Sequence, residues 1–542
     1  MAAFVLAVCA VAIAFTYREL PRGRDEWHRV ARVAAPGLLL ASILALAFGL
    51  RVWGITSGLP QSYVADEYDF VHAVLRMMKG GDLNPHSWYH PSLQPYLALA
   101  TYTVVFLLEV PRGRWSHVHQ IAEEDMLYWG RFTGVMAGTA TVLVTYLLAR
   151  RLFGKRVGLL AAALMAVFPA AVQHSQYNKP DPVLALMTTI SVLVILVYLE
   201  RGGTAQALAA GAVIGLSLSA KYNGIVVLVP FLLAVAFRHG RRLLSRPDLY
   251  VGMGGIVLGF VIGCPYFLSE FNLFLDHVAD DIYTYAYAGR AGAEGVDNWA
   301  GHATYTRKYG AGLIASLGAI AGLGIVLYRM NAALAVFVSF PVLYFGYYST
   351  QRINYRPNLL PVYPFLAILA AYAFFELLRW ARGRAPGTAP ASERGRLLLR
   401  AATAVLLVAM LAPPLRTAVL YNIEVTRRDT GNEAREWIER TFPAGTHFAV
   451  ERHTPVLDRA RFKVTQEARV ITRSVKSYRD EGVQYFIVSS MTFDRFDAEH
   501  NQTRSYQKLF ALCPTIQEFA PIAGRRPGPT IRVLRLPADG AE

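Results

Sequence analysis

The stretch YVADEYDF, residues 63–70, opens a polar loop that closes with NPHSWYHPSLQPY, residues 84–96, and long apolar segments lie on both sides of it. Three carboxylates, Asp66, Glu67 and Asp69, fall within four residues of one another. Histidines, aromatic residues and prolines crowd the second half of the loop. A loop this dense in titratable groups is rarely a mere connector, so it is the first candidate for a functional site.

The composition defines the class of protein. The chain has 542 residues, of which 54% are hydrophobic and only 17% charged, with a mean hydropathy of +0.32. This is too apolar for a soluble enzyme or binding module and predicts a polytopic protein surrounded by membrane lipid. The net charge of +16 could suggest nucleic acid. Because the basic runs alternate with apolar segments, as in cytoplasmic loops of membrane proteins, we expect no nucleic-acid partner.

The apolar segments predict an all-α bundle of about 11 to 12 transmembrane helices. Residues 1–17 are interpreted as a first span entering from outside, because arginines follow the apolar run, the reverse of a secretory signal. The other predicted spans are approximately residues 33–50, 127–149, 157–172, 182–199, 204–219, 222–237, 249–268, 310–328, 331–348, 359–378 and 397–413.

One further apolar segment, Leu93–Val110, decides the sidedness of everything after it. If it lies along the outer face as a juxtamembrane helix, the basic clusters near 150–156, 238–246 and 379–400 all fall in the cytoplasm, as the positive-inside rule requires. We therefore expect a first extracytoplasmic loop over about residues 51–126. The polar groups of the later loops then collect on the same face.

The tail, residues 419–542, predicts a small soluble α/β domain outside the membrane, with residues 1–418 forming the membrane module. It shows no Walker, Rossmann or zinc spacing. The three cysteines, Cys9, Cys264 and Cys513, imply neither a disulfide framework nor a metal-thiolate site. The predicted helices of the tail are DTGNEAREWIERTFP and SYQKLFAL, and the predicted strands are THFAV, YFIVSS, IQEFAP and TIRVLRL.

Five motifs carry a resemblance to a known family. They are the acidic pair Asp66-Glu67, HPSL from His90, NKPDPVLAL around Asp181, SAKYNG around Lys221 and RPNLLPVYPFLAILA from Arg356. In order and spacing, over about residues 33–378, this set resembles the membrane-embedded GT-C glycosyltransferases. The similar branches are the protein O-mannosyltransferases and aminoarabinose transferases, the phospholipid carrier-dependent glycosyltransferases of glycosyltransferase family 39.

The resemblance implies transfer of a sugar from a polyprenyl-phosphate donor to a protein, lipid or glycan acceptor, with inversion in a single displacement. The reaction is expected at the extracytoplasmic face of the plasma (inner) membrane. The chemistry of the residues fits independently. A carboxylate is needed to take the proton of the attacking hydroxyl and cations are needed to hold the departing phosphate, and both lie on one predicted side of the membrane.

The resemblance makes Asp66 the general base, with Glu67 orienting the acceptor or the base and Asp181 as a second acid. From the residues alone, Asp66 and Asp181 could equally cap the helices that follow them. Asp69 is expected to be structural. Two carboxylates and water could hold Mg²⁺ or Mn²⁺, but spacing does not show a metal, so a divalent cation is left open and no cofactor is required.

The resemblance places Lys221, Tyr355 and Arg356 against the phosphate or sugar of the donor. A lysine in an apolar stretch commonly extends to the interface, but an outer-side lysine runs against the positive-inside bias, which favours an anionic partner. Arg290 is a weaker phosphate candidate in a Gly-rich loop, where a solvated arginine is the ordinary case. His90 stands where the aminoarabinose branch tends to have lysine, and it could hydrogen-bond phosphate or pack beside its aromatic neighbours.

Two other classes of function compete with this interpretation. A transporter or lipid flippase predicts internal repeats and charges buried at mid-membrane, and the sequence shows no repeat. A polymerase of lipid-linked glycans predicts a long arginine-rich outer loop and no acidic pair after the first helices. The Asp66-Glu67 pair therefore favours the transferase.

Overall fold

The computed structural model describes residues 24–64, 66–289, 298–353, 355–383, 393–495 and 501–537. Within them the predicted fold class is confirmed: apolar helices form a bundle, and a five-stranded sheet follows near the C-terminal end. Eight of the described helices are long and apolar enough to cross a membrane, and three shorter apolar helices accompany them. The predicted span at residues 1–17 lies outside the described residues.

The helices of the bundle agree with the predicted spans to within a few residues at most ends. They are α1 (Arg24–Trp53), α2 (Glu67–Gly80), α3 (Leu93–Glu109), α4 (Glu123–Phe153), α5 (Lys155–Val167), α6 (Pro169–His174), α7 (Asp181–Arg201), α8 (Thr204–Ala220), α9 (Leu228–His239), α10 (Pro247–Gly263), α11 (Phe271–Tyr283), α12 (Asn298–Tyr305), α13 (Leu313–Tyr328), α14 (Ala332–Thr350), α15 (Tyr363–Gly383) and α16 (Glu393–Val425).

Irregular backbone interrupts the bundle at several places. The predicted span 157–172 breaks at Phe168, because Pro169 has no N–H with which to continue the helical ladder. Short 3₁₀ helices, Tyr222–Val227 and Arg356–Val362, precede α9 and α15. Irregular backbone within a bundle is tolerated where protein or a cavity surrounds it, so these breaks mark a site buried between helices.

Basic residues gather at the other end of the bundle. Arg151, near the end of α4, pairs with Glu200, near the end of α7, with an Nε to Oε1 distance of 3.0 Å. Arg238 at the end of α9 donates to the carbonyl of Leu199 at 2.7 Å. The basic clusters near residues 150–156 and 238–246 therefore lie at the same end of the bundle. This end is opposite the irregular segments described above.

Helix α3 lies along only the first third of α4 and runs antiparallel to it. Its start is fixed by Gln94, whose Nε2 donates to Oγ1 of Thr133 at 2.9 Å. Further along, Val105 shares a hydrophobic cluster with Leu127, near the start of α4. The chain then returns to the end of α2, where Nζ of Lys79 donates to the carbonyl of Ile121 at 2.7 Å. The chain before α3 and the chain after it therefore lie at the same end of the bundle. Helix α3 is nevertheless long and apolar enough to cross a membrane.

Helices α8 and α10 meet along a seam of glycines. A Cβ added at Gly215 would lie 2.1 Å from the carbonyl oxygen of Ile256, and one at Gly259 would lie 2.0 Å from that of Ala212. Only glycine permits this approach, which is the small-residue packing typical of membrane helices. The seam sets the position of Lys221, which directly follows α8.

Helix α16 continues through Pro413 and Pro414 to Val425, past the predicted end at residue 413. Asn422, fully buried, ties its last turns to the bundle. Its Nδ2 donates to the carbonyl of Leu50 at 2.8 Å, and its Oδ1 accepts from Gln176 at 2.7 Å. The chain thus leaves the bundle on a helix that is anchored at its far end.

The C-terminal region forms an α/β domain, as predicted. Strands β1 (His447–Val450), β2 (Lys463–Gln466) and β3 (Tyr485–Ser489) are parallel. Strand β5 (Ile531–Arg535) is antiparallel to both β3 and β4 (Thr515–Phe519), and the order is β2-β1-β3-β5-β4. Both faces of the sheet are covered, with Phe448 and Ile487 in one hydrophobic cluster and Ala449 and Phe486 in the other. The predicted strands and helices are all present, whereas β2, an edge strand with little burial, was missed. The elements are α17 (Thr430–Thr441), β1 (His447–Val450), β2 (Lys463–Gln466), α18 (Val475–Asp480), β3 (Tyr485–Ser489), α19 (Ser490–Phe493), α20 (Asn501–Leu512), β4 (Thr515–Phe519) and β5 (Ile531–Arg535).

The packing of α3 predicts the outcome of cysteine labelling with a membrane-impermeant reagent. Single cysteines at Gly81 and His119, on either side of α3, should react from the same side of the membrane, and so should one at Ala460 in the α/β domain. A cysteine at Arg242, at the basic end, should react only from the opposite side. Opposite reactivity of the Gly81 and His119 positions would show that α3 crosses the membrane.

Candidate active site

Asp66 has an unusual backbone conformation. It precedes α2 with φ at 75°, and its side chain accepts no capping hydrogen bond from the described backbone. A non-glycine residue in this left-handed region stores roughly 1–3 kcal/mol and persists only where its surroundings hold it. The side chain is 47% exposed and lies 3.9 Å from Nζ of Lys179. The capping interpretation is therefore not what the structure shows, and the carboxylate is open to a reactant.

Glu67, the next residue, is completely buried and fully engaged. Its two oxygens accept from the guanidinium of Arg131 at 2.8–3.2 Å, from the hydroxyl of Ser62 at 2.6 Å and from the backbone N–H of Asn178 at 2.7 Å. A charged pair this deeply buried persists because its hydrogen-bonding capacity is satisfied. Glu67 thus holds the loop against α4 and the segment before α7, and it positions its neighbour Asp66.

Lys221 forms the centre of a second buried cluster. Its Nζ donates to Oδ1 of Asp181 at 2.9 Å and to Oδ1 of Asn358 at 2.6 Å. Its side chain is 13% exposed, so it does not extend into solvent. An ammonium group has three donors. Of these, two are used within the part of the chain that the structure describes, which leaves one for a ligand.

His90 lies between the two clusters. Its ring stacks on that of Phe70 with the centroids 5.6 Å apart. Burial and the nearby charge of Lys221 lower its pKa to about 4, against the opposing effect of Asp66 and Asp181. His90 is therefore neutral at physiological pH and can offer a hydrogen bond but not a positive charge.

Of the remaining sequence-predicted residues, Arg356 lines a cavity of about 340 Å³. Arg356 is exposed and stands over the ring of Tyr305, 5.2 Å from its centroid. Lys308 lines the same cavity. Tyr355 makes an edge contact with Tyr285, with the centroids 6.2 Å apart. The cavity thus combines two cations with aromatic walls. Arg290 lies outside the described residues.

Three residues of these clusters were missed from the sequence. Arg131 lies within the predicted span 127–149, where an ionisable residue is itself a signal of function or pairing. Lys179 stands two residues before Asp181 in a quoted motif, and Asn358 lies within another. The signal for Arg131 was its place in an apolar span, and the signal for Lys179 and Asn358 was their place in the quoted motifs.

The acidic residues do not fit a metal centre. Among the described residues, no group of three or more His, Cys, Asp or Glu side chains is arranged to hold an ion. Asp181 is paired with Lys221, and Asp66 faces Lys179. The mechanism below therefore takes no step through Mg²⁺ or Mn²⁺.

Part of the sequence and the overall fold resemble those of known proteins. Residues 116–266 match the family model described as dolichyl-phosphate-mannose-protein mannosyltransferase. The structure is similar to that of ArnT from Cupriavidus metallidurans bound to undecaprenyl phosphate, with a TM-score of 0.55 and 16% identity, covering 92% of this chain and 97% of that one. It is also similar to the archaeal oligosaccharyltransferase AglB from Archaeoglobus fulgidus, in complex with an inhibitory peptide and a dolichol-phosphate, with a TM-score of 0.55 and 14% identity, covering 85% and 70%. No curated protein matches the chain significantly in sequence.

The family match and the shared fold confirm the resemblance that the motifs carry. The chain has the fold of these GT-C membrane glycosyltransferases, and part of it matches one of their family models.

A histidine-centred contact holds the loop before His90 against α11. His86 has φ at 51° and bonds through Nε2 to Asp82 at 2.6 Å and through Nδ1 to Glu270. Glu270 also accepts from Nε1 of the fully buried Trp88 at 3.0 Å. The hydrogen bonds to Asp82 and Glu270 raise the pKa of His86 above its ordinary value of 6.5. The charged form of His86 is thus the one that the folded loop favours.

This contact predicts a pH dependence of loop protection. Because the pKa of His86 is raised on folding, the stabilisation is fully present below its ordinary value of 6.5 and is lost as the pH rises through the raised pKa. Hydrogen exchange of residues 82–90, corrected for the intrinsic pH effect, should therefore accelerate over that interval. In His86→Asn, which tolerates the positive φ but does not titrate, the acceleration should disappear. Equal acceleration in both proteins would contradict the assignment.

Proposed function

We propose that the protein transfers a sugar from a polyprenyl-phosphate donor to a hydroxyl of a protein, lipid or glycan acceptor, with inversion at the anomeric carbon. The observation that carries the proposal is an exposed, uncapped Asp66 on the same loop as His90, which lies within electrostatic reach of both Asp66 and the buried Lys221–Asp181 pair. The polyprenyl phosphates present in the similar ArnT and AglB structures support the donor class.

In the proposed reaction Asp66 is the general base. Its carboxylate accepts the proton of the acceptor hydroxyl while the oxygen of that hydroxyl bonds to the anomeric carbon. The bond from that carbon to the phosphate oxygen breaks in the same step, and the polyprenyl phosphate leaves with the electron pair on that oxygen. A base of this kind contributes about 10²–10⁴ in rate.

Lys221 is proposed to stabilise the departing phosphate. Asp181 and Asn358 hold its ammonium group in place, and its remaining donor can meet a phosphate oxygen as negative charge develops there. His90, being neutral, can add a hydrogen bond. Arg356, with the cavity beside it, is proposed to receive the lipid-linked end of the donor. Tyr355, which packs on Tyr285, is proposed to lie beside the donor as well.

The site and the α/β domain are proposed to face the extracytoplasmic side of the plasma (inner) membrane. The basic residues at the opposite end of the bundle support this orientation, because cytoplasmic ends carry the excess of lysine and arginine. Residues 1–418 would then be the transferase module and residues 419–542 the extracytoplasmic domain.

The role of Asp66 predicts a selective loss of turnover. Asp66→Asn removes the base and keeps the size of the side chain, so release of lipid phosphate from a polyprenyl-phosphate sugar should fall by about 10²–10⁴. Binding of undecaprenyl phosphate should change by no more than about twofold, because no phosphate contact is lost. Asp280→Asn, an exposed carboxylate on α11, is the matched control and should retain turnover. Wild-type turnover by folded Asp66→Asn protein would remove Asp66 from the mechanism.

The role of Lys221 predicts a loss of binding. Lys221→Met should weaken the binding of undecaprenyl phosphate by about 10–100-fold, the value of one charged hydrogen bond. It should also lower the Tm, since Asp181 is left as an unpaired buried charge. The double variant Lys221→Met with Asp181→Asn removes that charge and should recover the Tm but not the binding. Lys155→Met, at the basic end, should change neither quantity. Recovery of binding in the double variant would show that Lys221 serves folding alone.

A further inference from the structure

The α/β domain contacts the first loop at several residues, from Leu59, whose carbonyl accepts from Asn432 at 3.4 Å, to Asp69, which lies 3.6 Å from Arg452. Tyr63 donates its hydroxyl to Oδ1 of Asp429 at 2.6 Å, and Gln61 reaches the same oxygen at 3.4 Å. The ring of His453 meets the carbonyl of Ser62 through Nδ1 at 3.0 Å. Two separate parts of the domain thus hold one short stretch of the loop.

The same stretch is bonded on its other side to the bundle. The hydroxyl of Ser62 donates to Glu67 at 2.6 Å and accepts from the N–H of Val64 at 3.1 Å. Glu67 in turn is bonded to Arg131. A continuous chain of hydrogen bonds therefore runs from His453 of the domain, through Ser62, to the buried pair in the bundle. In the sequence, Asp66 lies between Val64 and Glu67, which both bond to the hydroxyl of Ser62. Its left-handed backbone conformation persists only when its surroundings hold it.

The domain side of this contact is itself rigid. Asp429 is buried and caps α17, accepting from the N–H of Asn432 at 2.8 Å. The residue that begins the His453 loop, Glu451, is buried and accepts from the hydroxyl of Tyr506 and from the N–H of Val470 at 2.9 Å. The two groups that hold the first loop are therefore fixed before they meet it, which is the condition for precise positioning.

We propose that the α/β domain is a positioning element for Asp66: Asp429 and His453 hold residues 61–63, and through them they set the geometry of the base. The inference rests on the proposed function. It assigns the domain a role in the rate of every transfer, whichever acceptor is used. Asp429, His453 and Tyr63 are positioning residues, since none of them needs to touch the reacting atoms.

The test uses full-length protein in nanodiscs and two small changes at the contact, Tyr63→Phe and His453→Ala. The donor is whichever polyprenyl-phosphate sugar the wild-type protein hydrolyses fastest among hexosyl and pentosyl donors. Hydrolysis uses water as the acceptor, so it is insensitive to acceptor recognition. Misplacing a catalytic group by about 1 Å can reduce a rate by about 10²-fold, so hydrolysis and transfer should fall together by about 10–100-fold in His453→Ala. Binding of undecaprenyl phosphate should stay within about twofold.

Hydrogen exchange gives a second readout that is independent of turnover. Exchange of residues 61–67 should accelerate by about fivefold or more in both variants. His453→Asn keeps a donor and tolerates the positive φ of 62°, so it should recover much of the rate and the protection. Tyr485→Phe, within the sheet, is the matched control and should resemble wild type.

Each outcome decides the proposal. Unchanged exchange and hydrolysis in Tyr63→Phe and His453→Ala would overturn it. A changed KM for the acceptor with unchanged hydrolysis would also overturn it and would show that the domain selects the acceptor. If His453→Ala fails to fold, Tyr63→Phe decides. If wild-type protein turns over no donor, the proposed function fails, and exchange alone then tests whether the domain holds the loop.

Discussion

The buried pair of Glu67 and Arg131 is the interaction on which the candidate site depends. It joins the start of α2 to α4 and, through the N–H of Asn178, to the segment before α7. Breaking such a pair by removing one partner typically costs about 3–5 kcal/mol, because the other charge is left buried. That is a large share of the roughly 5–15 kcal/mol by which proteins are stable. The loop that carries Asp66 is therefore held as firmly as the bundle itself.

The two adjacent acids, Asp66 and Glu67, therefore differ in burial and in hydrogen bonding. Glu67 is buried with both oxygens occupied, whereas Asp66 is nearly half exposed, with a lysine 3.9 Å away. A residue with every hydrogen-bonding position satisfied has little capacity for further chemistry, and its value is in holding its neighbour. The left-handed backbone at Asp66 is strained, and the pair of Glu67 and Arg131 maintains that strain.

The sequence predicted the fold well, because apolar segments separated by basic runs leave few alternatives to a helical membrane bundle. It also placed Asp66, Asp181 and Lys221 among the candidate residues through their motifs. It did not predict that Glu67 pairs with Arg131 or that Lys221 bonds to Asn358, since these partners are distant in the chain and meet only in the folded bundle. The positive φ of Asp66 was equally hidden, because aspartate before a helix ordinarily indicates a cap. The edge strand β2 was missed because KVTQ is barely buried and lacks an apolar face.

The anchored end of α16 bears on how strong the contact between domain and loop needs to be. Asn422 fixes the helix to the bundle, and only residues 426–429 separate Val425 from the start of α17. Four extended residues span at most roughly 14 Å, so the domain cannot move far from the loop even when their hydrogen bonds open. Such a short connection raises the effective concentration of one surface near the other into roughly the millimolar range or above. A few weak bonds are then enough to keep the contact between the domain and the loop closed.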